Sequence, residues 1–253
     1  RVVVVGGGPT GVEVSGAIAE LQKSMTREFP AISKNASVTL VEAGPRLLPS
    51  FSEKSSQNAK QDLEELGVNV KVDSAVDRMY PSDVHLKSGE VLPAGTIIWA
   101  AGVAAPSEWK VLGEIDRSNR LMVSETLRLR PNVWVLGDLA HVVGEGDRPL
   151  PMVASVAMQQ GRYVAKSIEK LLNGQEPTAF TYKDKGQMAT IGRRRAVVEL
   201  PNGLRLRGTL AWLVWLGLHV FYLAGGRNRI SVLADWFWNY ISWGIGPKRP
   251  VID

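Results

Sequence analysis

The 253-residue sequence contains no cysteine and only three histidines. Without cysteine, these residues cannot supply a disulphide scaffold, a thiolate metal site, an iron–sulfur cluster or a cysteine nucleophile. His85, His141 and His219 are too few and too scattered for a histidine-based zinc site, so we predict no bound metal. The 45% of hydrophobic and 22% of charged residues are ordinary for a globular protein, and the length suits one large domain or two modest ones.

The net charge of +5 belongs to the end of the chain. Residues 186–253 contain nine Lys or Arg and three Asp or Glu, whereas residues 1–185 contain 21 and 22. Five of the eight tryptophans fall within the last 42 residues. A basic, tryptophan-rich tail favours a membrane surface or an anionic partner, and we expect no nucleic-acid binding.

The chain opens without methionine, directly into Val2–Val5, which has the composition of a buried parallel strand. A central strand is an unusual natural N-terminus. We therefore expect this chain to be part of a longer protein with further sequence upstream of Arg1.

A glycine-rich segment follows this strand, with glycines at positions 6, 8 and 11 in the order G-x-G-x-x-G. In such a loop Gly6 permits the tight turn, Gly8 lets the backbone approach a pyrophosphate, and Gly11 lets the next helix pack on the strand. A helix over residues 10–26 would point its N-terminus at the phosphates. The segment predicts a dinucleotide site, and a purely structural glycine turn is the alternative.

Glu42 ends the next predicted strand, Ser37–Val41. A carboxylate there can bind both ribose hydroxyls and repel a 2′-phosphate, so we expect NADH rather than NADPH. The gap from the glycine loop to this acid is longer than the usual one, with an extended helix and loop around Lys23–Asn35.

Short alternating segments in the middle of the chain predict a small β-meander attached to the dinucleotide unit. Its strands are Val68–Val72, Val76–Tyr80, Val84–Leu86 and Val91–Leu92. A helix over Ser52–Leu66, capped by Gly67, precedes it as a surface crossover. Thr96–Ala100 predicts another buried strand, which ends near Gly102 at the crevice where such sheets bind ligands.

Four segments together resemble one family of flavoproteins. They are the glycine loop through Glu13, Val41–Pro49 after the second strand, Trp99–Val103 and Val135–Asp138. The chain is similar over nearly its whole length to type II NADH dehydrogenases, the single-subunit NADH:quinone oxidoreductases with two dinucleotide-binding domains. Glutathione-reductase-like and sulfide:quinone enzymes share this plan but normally carry redox cysteines, which this sequence lacks.

The resemblance implies an α/β fold with three parts. Residues 1–103 would form a Rossmann-like NADH-binding domain, and residues 104–180 the C-terminal part of an FAD-binding domain. Residues 181–253 would form a hairpin and membrane-associating helices. The first half of the flavin domain would lie upstream, so we expect these residues alone to hold FAD weakly.

The resemblance also assigns roles to side chains. Asp138 would accept a hydrogen bond from a hydroxyl of the flavin ribityl chain. The alternative is an aspartate that only stabilises a turn. Glu13 would orient nicotinamide or relay protons, although an acid on a first helical turn also stabilises any helix. The predicted cofactor-binding residues are Gly6, Gly8, Pro9, Thr10, Gly11, Glu42, Ala101, Gly102, Gly137, Asp138 and Ala154.

A second set of predicted residues lies at the start of a helix over residues 152–173. In the family, a motif A-Q-x-A-x-Q there faces the flavin ring and the quinone. Ala154, Ala157 and Gln159 match it, whereas Ser155 replaces a glutamine and leaves one quinone contact in doubt. The predicted catalytic residues are Glu13, Ser155, Gln159 and Gln160, and the polar face of a packed helix is the alternative for the last three.

The tail combines an apolar and an amphipathic segment. Gly208–Gly226 has 19 residues without formal charge, close to one bilayer core in length, but its glycines and His219 suit spanning poorly. In the following segment, apolar residues fall on one helical face: Ile230, Leu233, Ala234, Phe237 and Ile241. Its tryptophans suit the interface between lipid head groups and chains: Trp236, Trp238 and Trp243. We predict insertion into a single leaflet; a buried dimer interface or core, and a true span, are the alternatives.

These expectations describe a flavin-dependent, non-proton-pumping NADH:quinone oxidoreductase with FAD and NADH as cofactors. It would be a peripheral, monotopic protein on the cytoplasmic face of a bacterial inner membrane or an equivalent membrane. The sequence does not decide between a monomer and a homodimer. Two alternatives keep the fold: an NAD(P)H-dependent reductase of a biosynthetic naphthoquinone, and a redox-inactive NADH-binding scaffold.

Overall fold

The structure is a computed structural model that describes residues 1–26, 29–30, 35–144, 146 and 148–241. The chain forms two compact units. The first comprises residues 1–102 together with 186–253, and the second comprises residues 103–185. The stretch predicted as a separate third part thus belongs largely to the first unit.

A four-stranded parallel sheet forms the centre of the first unit. Its strands, in chain order, are β1 (Val2–Val5), β2 (Val38–Val41), β3 (Val68–Lys71) and β7 (Thr96–Trp99). They pair in the spatial order β3-β2-β1-β7, which is the arrangement of a Rossmann-like half. The predicted α/β fold is confirmed.

Two sequence predictions about this sheet are wrong. The first strand of the predicted meander, Val68–Val72, is β3 of the parallel sheet and pairs with β2. The meander has three strands instead: β4 (Val76–Tyr80), β5 (Asp83–Leu86) and β6 (Val91–Pro93). The strand predicted as buried, β7, lies at the sheet edge, and its Trp99 is 58% exposed.

Helices connect these strands as parallel pairing requires. Helix α1 (Pro9–Met25) follows β1, and helix α2 (Glu53–Leu66) precedes β3. Ser52 is the N-cap of α2, and Gly67 ends it in a left-handed conformation at φ +95°. Both ends of α2 are where the sequence predicts them.

The described residues of the second unit form four short strands and one long helix. They are β8 (Leu121–Met122), β9 (Arg128–Arg130), β10 (Val133–Trp134), β11 (Ala140–His141) and α3 (Ala154–Leu172). Two turns of 3-10 helix accompany them, Ser107–Val111 and Gly137–Leu139. A separate apolar core that includes Leu121, Leu127 and Val164 holds this unit together.

The C-terminal stretch adds a second sheet to the first unit. Strands β12 (Gln187–Gly192), β13 (Arg195–Glu199) and β14 (Arg205–Arg207) are antiparallel, and the predicted turn at residues 201–203 joins the last two. Ala189, Ile191 and Val197 share one apolar core with β1, β2 and α1. Helix α1 therefore packs between two sheets.

Helix α1 approaches the backbone of β12 closely at Gly16. A Cβ atom on Gly16 would lie 1.6 Å from the carbonyl oxygen of Ile191 in β12. Glycine is required here because the helix touches the backbone of the strand directly.

Helices α4 (Gly208–Tyr222) and α5 (Gly226–Ile241) follow β14 in the described part of the first unit. Ala211 of α4 is buried against β13, whereas most apolar side chains of both helices are exposed. Across residues 1–26, 35–144 and 148–241, no helix is both long enough and apolar enough to cross a membrane.

Candidate functional site

The glycine loop has the geometry that a bound pyrophosphate requires. Gly6 has φ +110°, and a Cβ there would lie 2.5 Å from the carbonyl oxygen of Ala100 at the end of β7. A Cβ on Gly11 would lie 1.8 Å from the oxygen of Gly6. Around Gly8, in contrast, no atom lies within 4 Å of the Cβ position. Gly6 and Gly11 are therefore needed for folding, whereas Gly8 leaves an open face.

The N-terminus of α1 begins at this open face. Gly8 is its N-cap, and among the described residues no side chain caps the helix. Pro9 and Thr10 of the first turn are exposed. Free backbone N–H groups and the positive end of the helix dipole form a site that favours an anion. The residues present thus fit the diphosphate of a dinucleotide.

Glu42 lies against the same loop at the end of β2. Its two carboxylate oxygens accept hydrogen bonds from the backbone N–H groups of Gly7 and Gly44, at 2.5 Å and 2.7 Å. A carboxylate can accept about four hydrogen bonds, so capacity remains for ribose hydroxyls. The backbone fixes this acid beside the loop before any ligand binds.

Glu13 follows one turn into α1 and is half-buried. Its Oε1 accepts a hydrogen bond of 3.1 Å from the backbone N–H of Thr190 in β12. Burial raises the pKa of Glu13, and the Thr190 hydrogen bond, nearby His219 and a hydrogen bond from the Trp215 side chain oppose this rise. The acid predicted from the sequence is thus in contact with the C-terminal sheet.

The second unit has a cavity of about 300 Å³ with a mostly apolar lining. It is bordered by residues 103–106, Trp109, Asp138, Leu139 and Met152. Asp138 is exposed and lies on the 3-10 turn Gly137–Leu139. An apolar cavity with one carboxylate at its edge is compatible with part of a flavin, whose dimethylbenzene ring is apolar and whose ribityl chain carries hydroxyls.

Gln160 holds the turn that carries Asp138. It lies on α3, is 1% exposed, and its Oε1 accepts a hydrogen bond of 2.6 Å from the backbone N–H of Gly137. A buried amide with this partner cannot reach a ligand outside the protein. The structure therefore makes Gln160 a residue that shapes the turn.

Ser155 and Gln159 of α3 both contact residues 182–183. The Ser155 hydroxyl lies 3.0 Å from the Tyr182 hydroxyl. The Gln159 amide donates to the Lys183 carbonyl at 3.0 Å and accepts from the Lys183 N–H at 3.1 Å. Two hydroxyls that bond each other retain one further donor between them, so this pair can still bind a carbonyl.

His141 is part of an ion-pair network in the second unit. It lies in β11, and its side chain is 15% exposed. Its Nδ1 is 2.9 Å from Oδ2 of Asp116, which also forms an ion pair with buried Arg120. Burial would raise the pKa of Asp116, but the hydrogen bonds from His141 and Arg120 hold it well below its usual range. This network fixes the second unit internally.

The structure thus collects the predicted residues into two groups. In the first unit, the glycine loop, Glu13 and Glu42 lie together, and Ala101 lies against Gly6. Gly102 follows with φ +104°. In the second unit, Gly137 contacts α3, and the first residue of that helix is Ala154. Trp243 of the predicted membrane interface lies outside the described residues.

Sequence reasoning missed the residues that join the C-terminal stretch to the dinucleotide part. They include Glu20, which accepts a hydrogen bond from the Arg193 N–H, and Glu199. The carboxylate of Glu199 accepts hydrogen bonds from the Ser52 and Ser55 hydroxyls at the start of α2. Each of these contacts joins residues more than 140 positions apart, so no local pattern connects the partners. The pattern of acids on α1 is the only sequence signal for them.

The fold and the glycine loop define a class of nucleotide-binding protein, and the comparisons identify its family. The family model described as pyridine nucleotide-disulphide oxidoreductase matches residues 1–161, and the chain belongs to this family. The model described as NDH2 C-terminal domain matches residues 185–242.

Within this family, the chain is similar to type II NADH:quinone oxidoreductases, as the sequence resemblance predicts. It is 38% identical over 252 residues to the type II NADH:quinone oxidoreductase NdhA of Mycobacterium tuberculosis, covering 92% of this chain and 52% of that protein. It is 31% identical to the mitochondrial internal alternative NAD(P)H-ubiquinone oxidoreductase A1 of Arabidopsis thaliana, covering 94% and 51%. The chain spans about half the length of these curated relatives.

A solved structure shares the fold. NDH2 from Plasmodium falciparum in complex with NADH aligns with a TM-score of 0.85 at 22% identity, over 100% of this chain and 67% of that one.

Proposed function

We propose that this protein is a flavin-dependent NADH:quinone oxidoreductase of the type II kind. The observation that carries the proposal is that an open glycine loop and an NDH2-type C-terminal domain occur in one chain and pack in one unit. The C-terminal sheet lies directly on α1, the helix that begins at the loop.

NADH would bind along the glycine loop. Its pyrophosphate would lie over Gly8, bound by the free N–H groups of the first turn of α1. The carboxylate of Glu42 would accept hydrogen bonds from the ribose hydroxyls, and its charge would repel a 2′-phosphate. Glu13, one turn further, would lie at the nicotinamide end.

FAD would be held in part by the second unit. When bound, the flavin supplies the redox chemistry, hydride acceptance and electron transfer to the quinone. Asp138 would accept a hydrogen bond from a ribityl hydroxyl, and the buried Gln160 would fix the turn that carries Asp138. Gly137 adopts φ +67°, a conformation that glycine favours.

The quinone would meet neutral polar groups at the start of α3. Neutral donors bind a quinone carbonyl without the cost of burying a charge. Ser155 stands where relatives have a glutamine, and the Tyr182 hydroxyl at 3.0 Å supplies a second donor at the same place. Gln159 would act through Lys183, whose backbone it fixes.

The two C-terminal helices would attach the protein to one leaflet of a membrane. On α5, Ile230, Phe237 and Trp238 are 71%, 68% and 70% exposed. Such large apolar side chains are unfavourable in water and suit a lipid surface, and Arg227 and Arg229 at the start of α5 suit anionic head groups. This arrangement is a peripheral attachment, and we propose the cytoplasmic face.

The functional division that we propose is residues 1–103 for NADH, 104–180 for FAD and 181–253 for the membrane. The boundary at residue 103 lies one residue after Gly102, where the first segment of the first unit ends. The boundary at residue 181 lies five residues before Gly186, where the chain returns to that unit.

An acceptor panel tests the proposal. Protein expressed from its complete reading frame should purify yellow and oxidise NADH with short-chain quinones, and it should not reduce disulphides. A colourless protein that binds NADH without oxidising it would support a scaffold instead. Activity restricted to naphthoquinone intermediates would support the biosynthetic alternative.

A further inference from the structure

The second unit has another cavity, of about 270 Å³, to which the proposed function assigns no ligand. Residues 159–166 of α3 supply one wall, and residues 180–183 supply the other. Its charged lining residues are Arg162, Lys166 and Lys183, and we call it the basic cavity. All of its lining residues belong to one compact unit.

The positive charge of the basic cavity is not balanced by the protein around it. No acidic side chain lines the cavity, and the nearest acids along the chain, Glu169 and Asp184, lie outside it. Arg162, Lys166 and Lys183 form no ion pair with another described residue. Arg162 and Lys166 are four residues apart on α3, a spacing at which like charges repel each other. An anion in the cavity would relieve this repulsion.

The walls of the basic cavity are held in place by the protein itself. Gln159 forms two hydrogen bonds with the backbone of Lys183, at 3.0 Å and 3.1 Å. The Tyr163 hydroxyl donates to the Thr178 carbonyl at 2.6 Å. The rings of Tyr163 and Phe180 pack edge to face with centroids 5.3 Å apart, and both pack against the apolar core of the second unit. The cavity is therefore formed in advance, and a ligand does not have to order its walls.

The lining groups suit a phosphate group. Arginine and lysine side chains only donate hydrogen bonds, and a phosphate monoester offers three acceptor oxygens and close to two negative charges at pH 7. A carboxylate carries one charge and would leave more of the positive cluster unbalanced. The volume of about 270 Å³ suits a small ligand rather than a whole dinucleotide, and the two aromatic rings offer an apolar surface to its organic part.

We propose that the basic cavity binds the phosphate group of a small ligand, with Arg162, Lys166 and Lys183 as its donors and the Tyr163–Phe180 pair as its apolar wall. The same chemistry is available from a soluble phosphate ester and from the head group of an anionic lipid, and the experiment separates these two sources. The proposal does not depend on the redox function proposed above, because the glycine loop belongs to the other unit.

The first arm of the test is a calorimetric titration of inorganic pyrophosphate into the protein expressed from its complete reading frame. NAD⁺ is present at saturation, so that the glycine loop is already occupied. The cavity variant combines Arg162→Gln with Lys166→Gln. The matched control combines Arg117→Gln with Lys170→Gln, which removes one arginine and one lysine from exposed positions of the same unit outside the cavity.

We expect pyrophosphate to bind the unaltered protein and the control equally, with an affinity that falls as salt is added. The Kd should rise at least about tenfold in the cavity variant, which corresponds to the loss of one charge-assisted hydrogen bond.

The second arm measures binding to phosphatidylcholine vesicles with and without phosphatidic acid. If a lipid head group is the ligand, the cavity variant should lose the additional binding that phosphatidic acid gives, and the control should keep it. Dependence on the two cations in the first arm identifies a soluble ligand, and dependence in the second arm identifies a lipid. If neither binding depends on them, the cations are only solvated and the proposal is overturned.

A thermal measurement shows whether the cavity variant is folded. Because Arg162 and Lys166 repel each other, their replacement should leave Tm unchanged or slightly higher without pyrophosphate. Pyrophosphate should raise the Tm of the unaltered protein and the control but not that of the cavity variant. An equal rise in the cavity variant would contradict pyrophosphate binding in the cavity.

Discussion

The openness of Gly8 leads to a prediction that separates ligand binding from folding. In Gly8→Ala the new methyl group meets no atom within 4 Å, and the backbone at φ −70° and ψ −179° suits any residue. We expect the free energy of unfolding to change by less than about 0.5 kcal/mol. The methyl group would, however, occupy the face over which the pyrophosphate lies.

The expected loss of affinity follows from the hydrogen bonds to the phosphates. A hydrogen bond to a charged group contributes about 1.5–3 kcal/mol, so the loss of one raises the Kd for NADH about 10- to 150-fold. Energy transfer from tryptophan to bound NADH measures this Kd directly.

Two other glycines supply the controls. Gly95→Ala adds a methyl group in the same unit at an ordinary distance of 3.6 Å from the Arg1 oxygen, so both affinity and stability should stay unchanged. Gly11→Ala should instead unfold the unit, because its Cβ would lie 1.8 Å from the Gly6 oxygen. An unchanged NADH affinity in Gly8→Ala would refute the dinucleotide site and leave a structural glycine turn.

Three further predictions concern other parts of the chain. Glu42→Gln removes the charge and leaves one oxygen to accept from the two loop N–H groups that the carboxylate holds, so the ratio of kcat/KM for NADH to that for NADPH should fall about tenfold, the value of one charge-assisted hydrogen bond; an unchanged ratio would remove its assigned role. Burial would raise the pKa of Glu199, but hydrogen bonds from Ser52, Ser55 and Gln187 hold it below its ordinary value. Its stabilisation is therefore present above the unfolded pKa of about 4.3 and is lost as the pH falls through the folded pKa, so Glu199→Gln should lower Tm at pH 7 and flatten the acid side of the Tm profile; equal profiles would contradict this. Phe237→Ser combined with Trp238→Ser removes two exposed apolar side chains of about 1.5–3 kcal/mol each, so co-flotation with anionic liposomes should fall more than tenfold, and full flotation would refute the attachment by α5.

Local patterns predicted the elements that depend on local chemistry. The valine run, the glycine loop and helix α2 with its Ser52 and Gly67 caps are all where the sequence places them. Each is specified by neighbouring residues, through backbone conformation at glycine or hydrogen bonds within one turn. The hairpin around residues 201–203 is predictable for the same reason.

Pairing between distant segments could not be predicted in this way. The four residues of β3 alternate in a manner that suits a meander or a parallel sheet, and only the partner strand β2 decides. The apolar β7 reads as a central strand, yet no strand pairs with its outer edge among the described residues. Composition sets the preference for a strand, whereas topology sets its neighbours.

The candidate site shows the same division. The glycines and Glu42 follow from spacing along the chain. The contacts of Glu13 with Thr190 and of Glu20 with Arg193, in contrast, join residues more than 170 positions apart. Gln160 illustrates the limit for a single side chain. Gln160 directly follows the sequence motif that ends at Gln159, but only the structure shows that its amide is buried against Gly137.

The most direct measurement is a stopped-flow experiment on the protein expressed from its complete reading frame. If it is an NADH:quinone oxidoreductase, NADH should bleach the flavin absorbance near 450 nm in the absence of oxygen, and a quinone added next should restore it within the turnover time. A flavin that NADH does not bleach, or that a quinone does not reoxidise, would contradict the proposed function.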